Sequence, residues 1–164
     1  MANLVGSRIE RKEDKKFLTG KGRYTSDINL PRQTYAYFVR SPHARASISK
    51  VDTSKASNAP GVVAILTGDD LAKDKIGGLI AGWKIVSQDG TDMKVPPHPP
   101  LANSTVNYVG DHVAVVIAET LDQARNAAEM VRVDYKVLKA VVNTSDAMNS
   151  KPIYEGIDKN LCFD

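Results

Sequence analysis

Two segments of the chain alternate apolar and polar residues with the period of a β-strand. Residues 44–50 (ARASISK) carry an apolar side chain at every second position as far as Ile48, and residues 131–135 (VRVDY) repeat the pattern. Side chains two positions apart point to the same face of a strand, so the pattern predicts strands with one buried and one exposed face. A third segment, 34–40 (TYAYFVR), is rich in aromatic and β-branched residues and also predicts a strand.

Two further segments are apolar without alternation, namely residues 62–66 (VVAIL) and 112–119 (HVAVVIAE). Unbroken apolar runs of this length are typical of strands that are covered on both faces. We therefore predict that both segments form strands in the interior of the domain.

The second of these runs leads into a predicted helix. Thr120 is a suitable N-cap, and Gln123 stands three residues later, as a capping box requires. The predicted buried stripe of this helix is small in volume and is formed by Leu121, Ala124, Ala128 and Val131. Together with residues 131–135, residues 108–135 predict a strand–helix–strand crossover onto one shared sheet.

The remaining segments predict turns and loops. A short helix is expected within residues 52–61, capped by Asp52 or Thr53 and ended by Pro60-Gly61. Further short helices or turns are expected at residues 67–72 and near Ser145. Glycines and the cluster PPHPP make residues 73–100 an irregular insertion. The predicted fold is α+β, a mixed sheet with a crossover helix. Its predicted parts are an extended arm (1–33), a domain (34–150) and an irregular exit segment (151–164).

Composition excludes several classes of function. The 22 basic and 19 acidic residues give a net charge of +3, and acids interrupt the bases even in residues 8–16 (RIERKEDKK). Nucleic-acid binding is not expected, since it usually requires clustered Lys and Arg with aromatic residues between them. No apolar run reaches the roughly 18 residues of a membrane span, and residues 1–17 lack a secretory signal. We expect a soluble protein of the cytoplasm without membrane partners.

Cysteine and histidine offer no metal template. Cys162 is the single cysteine, so neither an internal disulfide nor a cysteine-rich zinc site is expected. His43 lies between two predicted strands, where it favours a backbone hydrogen bond over an acid–base role. His98 is expected to be exposed in the proline-rich loop, and His112 to satisfy a local backbone group at the start of its strand.

Other polar motifs also favour a structural interpretation. Residues 19–24 (TGKGRY) lack the flanking strand and helix and the longer spacing of a phosphate-binding loop. Asp69-Asp70, like Glu10, Glu13 and Asp14, lies on predicted surface turns, where nothing raises a carboxyl pKa. No serine stands in a G-x-S-x-G elbow. We assign no catalytic, cofactor-binding or metal-ligating residue.

Six segments, taken in order, resemble the large subunits of the molybdenum hydroxylases, the family of xanthine dehydrogenase, aldehyde oxidase and aerobic carbon monoxide dehydrogenase. They are RKEDKKFLTGKGRYTSDINLP (11–31), YFVRSPHARASI (37–48), PGVVAILTGDDL (60–71), PPLANSTVNYVGDHVAVVIAET (99–120), AAEMVRVDYKVLKAVV (127–142) and NLCFD (160–164). The sequence departs from the family pattern at Arg45, where His is frequent, and at Asp111-His112, where a Glu-Pro pair is frequent. These departures bear on the subfamily rather than on the fold.

The resemblance implies an α/β-hammerhead domain, a non-catalytic scaffold of a larger enzyme. It implies that molybdopterin and the glutamate base belong to a longer catalytic portion absent from this chain, and that iron–sulfur and FAD groups belong to partner subunits or domains. The expected partners are that catalytic portion and those subunits, with self-association of the isolated chain.

Two alternatives remain open. One is a free-standing protein-binding module that reuses the hammerhead fold, suggested by the proline-rich loop around His98 and the basic residues of the arm. The other, weaker one is a small hydrolase or transferase that uses His43 together with a carboxylate.

Overall fold

The computed structural model describes residues 5–6 and 8–164, which divide into two compact units, Met1–Gln33 and Thr34–Asp164. Residues 1–4 and 7 of the predicted arm lie outside the described residues.

The first unit, predicted to be an extended arm, contains a short helix. Helix α1 spans Asp14–Leu18, and a 3₁₀ turn follows at Thr25–Asp27. Between them the chain reverses, so that the ring of Phe17 stacks on the ring of Tyr24 with 5.5 Å between centroids. Gly22 permits this reversal, because a Cβ atom there would lie only 2.6 Å from the Phe17 ring. The glycine-rich segment 19–24 is thus a turn around an aromatic pair.

The second unit contains six strands and three α-helices. The strands are β1 (Tyr35–Arg40), β2 (Ala46–Asp52), β3 (Val62–Thr67), β4 (Thr105–Val106), β5 (His112–Ala118) and β6 (Arg132–Val137). The helices are α2 (Gly68–Lys73), α3 (Leu121–Met130) and α4 (Thr144–Ala147), with a 3₁₀ turn at Ala56–Asn58. The predicted strands are confirmed; β4, which has two residues, is too short to leave a pattern in the sequence.

The strands form two antiparallel sheets, with the orders β1-β5-β3 and β4-β2-β6. The prediction of one mixed sheet joined by a crossover is wrong. Strands β5 and β6 flank α3 in the sequence but belong to different sheets, because β6 pairs with β2 and β5 is already flanked by β1 and β3. Helix α3 therefore connects two sheets.

Helix α3 covers one face of the β1-β5-β3 sheet. The capping box is confirmed, since the Gln123 amide donates to Thr120 Oγ1 at 3.2 Å and the Thr120 amide donates to Gln123 Oε1 at 3.0 Å. Ala124, Ala127 and Ala128 are buried. Leu121, predicted to be buried, is exposed; side chains in the first turn lean back over the chain that precedes the helix and not over the sheet.

Each sheet has its own apolar core. Val116 packs with Ala127 and Ala128 beneath α3, and Val113 packs with Ala46 and Val106 at the other sheet. The small alanines let α3 approach its sheet closely, as the sequence indicated. None of the helices in the described part of the chain is long and apolar enough to cross a bilayer.

The short helices and the irregular insertion are confirmed, but the predicted cap of the first helix is wrong. The 3₁₀ turn at Ala56–Asn58 has Lys55 at its N-cap without a side-chain bond. The carboxylate of Asp52 instead accepts from the amide and the hydroxyl of Ser54, at 3.0 and 2.6 Å. These two bonds close the turn that precedes the helix.

The same two bonds lower the pKa of Asp52 to about 2, with the Ser54 hydroxyl as the largest cause and Lys50 nearby as a smaller one. We expect Ser54→Ala to raise this pKa toward 3.8, which carboxyl-detected NMR titration would measure. Because the folded-state pKa is depressed, the stabilisation is present above the unfolded value and is lost as pH falls through about 2.

Asp89 provides the control for this titration. Its pKa is lowered in the same way by the hydroxyl and amide of Thr91, and it should titrate identically in the Ser54→Ala protein. An unchanged Asp52 midpoint in that variant would contradict the assigned cause.

Candidate functional site

The polar residues of the second unit converge where the β1–β2 connection meets the β4–β5 connection. Ser41 and Asp111 are 2% and 8% exposed and are the buried polar side chains of the described residues. The Ser41 amide donates to the Asp111 carbonyl at 2.8 Å, and the Gly110 amide donates to the Ser41 carbonyl at 2.8 Å. We call Ser41, Asp111 and the three tyrosines near them, Tyr108, Tyr135 and Tyr154, the Ser41–Asp111 cluster.

The Ser41 hydroxyl is bonded to the backbone of its own turn and to the phenol of Tyr135. It accepts from the His43 amide at 3.0 Å and donates to the His43 carbonyl at 3.1 Å. It meets the main chain of His43, while the imidazole lies edge-on to Tyr135 with 5.0 Å between ring centroids. A serine nucleophile needs a base within hydrogen-bond reach of its hydroxyl. Ser41 instead holds a turn.

The carboxylate of Asp111 accepts from the Asn107 amide at 3.1 Å and so closes the connection between β4 and β5. Its charge also acts on the three tyrosines of the cluster. Burial raises the pKa of Tyr108, Tyr135 and Tyr154, and the nearby Asp111 carboxylate raises all three further because it repels a phenolate. Asp111 also accepts a hydrogen bond from Tyr108, which raises the pKa of that phenol, whereas the bond to Ser41 lowers the pKa of Tyr135. The cluster therefore keeps its phenols protonated, as hydrogen-bonding groups rather than bases.

Each of the three histidines lies against an aromatic ring. His98 is exposed, as predicted, and its Nε2 lies 3.4 Å from the Tyr108 hydroxyl. The His112 ring stacks on Phe38 at 4.5 Å, and its carbonyl accepts from the Ala102 amide. Among the residues that the structure describes, no imidazole hydrogen-bonds to a carboxylate, so nothing here assembles the acid–base pair considered for His43.

The carboxylate pairs cap helices or form surface ion pairs. The Asp70 carboxylate accepts from the amide and hydroxyl of Thr67 at 2.8 and 2.7 Å, which caps α2 and lowers the pKa of Asp70. In the first unit, Asp14 pairs with Arg11 at 3.0 Å.

In residues 5–6 and 8–164, no three His, Cys, Asp or Glu side chains come together as a metal site would require. These donors do not fit a bound molybdenum, and we derive no chemical step through it.

A second polar region joins the C-terminal segment to the insertion. The Lys94 amide donates to the Cys162 carbonyl at 2.9 Å, the Gln88 amide donates to the Asp164 carbonyl at 2.8 Å, and the side chains of Lys94 and Asp158 form an ion pair. An apolar cavity of about 200 Å³ lies between these segments. Cys162 is exposed and borders it.

Sequence reasoning missed two residues that organise this region. The Asn160 amide nitrogen donates to the carbonyls of Ala147, Ser150 and Lys151, and its oxygen accepts from the Ile153 amide. Arg45 reaches from the start of β2 to the Ile153 carbonyl at 3.0 Å. Neither contact leaves a local pattern, since Arg45 and Ile153 are 108 residues apart in sequence.

Comparison with known proteins identifies the family of this domain. Residues 19–139 match the family model described as aldehyde oxidase and xanthine dehydrogenase, a/b hammerhead domain. The chain is 36% identical to the nicotine 6-hydroxylase large subunit of Paenarthrobacter nicotinovorans, over 94% of this chain and 18% of that protein. It is 37% identical to the carbon monoxide dehydrogenase large chain of Afipia carboxidovorans, over 88% of this chain and 16% of that protein.

Solved structures give the same result. Quinoline 2-oxidoreductase from Pseudomonas putida 86 superposes with a TM-score of 0.78 at 33% identity, over 90% of this chain and 18% of that one. The chain thus spans less than a fifth of these relatives. The match covers β1 through β6 and the helices between them, and on that evidence the chain belongs to the aldehyde oxidase and xanthine dehydrogenase family, as its α/β-hammerhead domain.

Proposed function

We propose that this chain is a non-catalytic scaffold and interface domain of a molybdenum hydroxylase large subunit. The observation that carries the proposal is the use of its buried polar groups: the Ser41 hydroxyl and the Asp111 carboxylate bond to the backbone of their own turns and to the phenols of Tyr135 and Tyr108. Family membership supplies the context, because relatives more than 30% identical match this chain over only a small part of their length.

In this proposal, the oxidation of a substrate carbon takes place in the catalytic portion of the large subunit and not in this domain. Molybdopterin would be held by the catalytic portion of the large subunit, and electrons would pass to iron–sulfur and flavin groups on partner subunits, as the family resemblance implies. This chain's residues hold the turns and the helix that shape the scaffold. The proposed location is the cytoplasm.

The isolated chain would also self-associate weakly. Ile80 and Trp83 in the insertion are 93% and 82% exposed, and large apolar side chains exposed to this extent favour association. Sedimentation velocity over a range of concentrations tests this directly, and a strict monomer at every concentration would argue against it.

Cofactor content tests the central proposal. We expect the purified chain to contain less than ~0.05 molybdenum atoms per polypeptide by inductively coupled plasma mass spectrometry, and no fluorescent pterin after oxidation, because its described side chains form no ligand cluster. The control is a molybdenum hydroxylase purified in parallel from the same cells. Stoichiometric molybdenum or pterin, or turnover of an aldehyde or N-heterocycle by this chain alone, would overturn the proposal.

A further inference from the structure

The face of the β1-β5-β3 sheet opposite α3 is apolar throughout its centre. Residues directly opposite one another in an antiparallel pair share a face. The strand registers therefore place six apolar residues there in two cross-strand rows, Phe38–Val115–Leu66 and Ala36–Ile117–Ala64. We call these six residues the open sheet face.

No helix or strand of the second unit covers this face. Helix α3 packs on the other side, where Val116 meets Ala127 and Ala128. On the open sheet face, Ala36 is exposed and Phe38 is 38% exposed, and the bulged Val63 beside it is 60% exposed. Charged residues lie at the two ends of the face: Arg40 stands opposite His112 in the strand register at one end, and the exposed Glu119 follows Ile117 by two positions at the other.

The sequence itself indicates that something covers the open sheet face. Strand β3 is apolar on both sides, which is typical of a strand buried between two layers, yet the second unit supplies a layer on one side only. The prediction that β3 and β5 are covered on both faces is therefore wrong for this chain taken alone. Their apolar residues without a covering layer lie on the open sheet face.

The size of the open sheet face argues against a second copy of this chain as the cover. Three strands about 4.8 Å apart and two rows about 7 Å apart give an area on the order of 200 Å². Stable association of separate proteins needs about 800 Å² per partner. A patch of this size suffices only for a segment that is already held close by other contacts, which avoids most of the entropy cost of association.

We infer that the open sheet face is the docking site for an uncharged, apolar segment of the large subunit from outside the hammerhead region. The inference rests on the proposed function, which supplies such a segment: the relatives that contain this domain carry more than four-fifths of their length beyond it. The absence of charge on the six residues sets the chemistry of the segment.

Cysteine labelling tests the inference. Ala36→Cys is introduced into a Cys162→Ser background, so that the new thiol is the only one in the chain. Its reaction rate with a maleimide is measured on the chain alone and on the complex that copurifies with it, whose catalytic large-subunit polypeptide is identified by mass spectrometry. We expect labelling to slow at least ~10-fold in the complex. Val137→Cys, exposed on the other sheet, is the control and should label equally in both.

The outcomes separate the two proposals. A complex that contains the catalytic polypeptide but leaves the thiol at position 36 fully reactive overturns the inference and leaves the proposed function standing. Concentration-dependent protection in the chain alone identifies a second copy as the cover and also overturns it. If no catalytic polypeptide copurifies, the proposed function fails and the inference fails with it. Val63→Cys repeats the test if Ala36→Cys does not fold.

Discussion

Gly68→Ala is expected to lower the free energy of unfolding by about 3 kcal/mol, although alanine is a better helix former than glycine. Gly68 is buried at the start of α2, and a Cβ atom there would lie 2.4 Å from the Ala102 carbonyl oxygen and 2.7 Å from the Asn103 Cα. Both contacts are with backbone, and the Ala102 amide is itself bonded to the His112 carbonyl. The gain in helix propensity, about 1 kcal/mol, is smaller than this cost.

Thermal unfolding followed by circular dichroism measures the effect. With roughly 2–4 °C per kcal/mol for a chain of this size, the midpoint should fall by about 6–12 °C. Gly82→Ala is the matched control, because a Cβ atom there meets nothing within 4 Å; its midpoint should stay within a few degrees or rise slightly. Equal midpoints for Gly68→Ala and the unsubstituted chain would show that α2 can move away from residues 102–103.

Asp111→Ala is expected to lower the free energy of unfolding by about 1.5–3 kcal/mol, the range for a hydrogen bond to a charged group. The substitution leaves the Asn107 amide without the carboxylate that closes the β4–β5 connection. Urea denaturation measures the loss. Asp69→Ala is the control, because Asp69 is exposed on α2, and it should change the free energy of unfolding by less than ~1 kcal/mol.

The tyrosines distinguish the charge of Asp111 from its hydrogen bond. Asp111→Asn keeps an acceptor for the Asn107 amide but removes the charge, so the pKa values of Tyr108, Tyr135 and Tyr154 should all fall toward 10. They should remain above 10, because burial is the largest cause of each shift. NMR titration of ¹³C-labelled tyrosine resolves the three rings. If only the pKa of Tyr108 fell, the charge of Asp111 would not act on Tyr135 and Tyr154 as described.

The residues at the two departures from the family pattern make contacts that only the tertiary structure shows. Arg45 connects β2 to the Ile153 carbonyl, Asp111 closes a buried turn, and His112 stacks on Phe38. The partners of Arg45 and His112 lie more than 70 residues away along the chain, so no local pattern indicates these contacts.

Local pattern determined the elements of this protein. The period of two in β2 and β6, the capping box at Thr120 and Gln123 and the glycines of the insertion depend on neighbours within a few residues, so the sequence alone was sufficient to place them. Family membership and the hammerhead fold could likewise be read from ordered motifs. Tertiary structure decided the partition into two sheets, the pairing of β6 with β2 and the face of β3 that stays open. The physical reason is that an apolar side chain is buried equally well by any apolar layer, so its pattern shows that it needs a cover without specifying which segment supplies it.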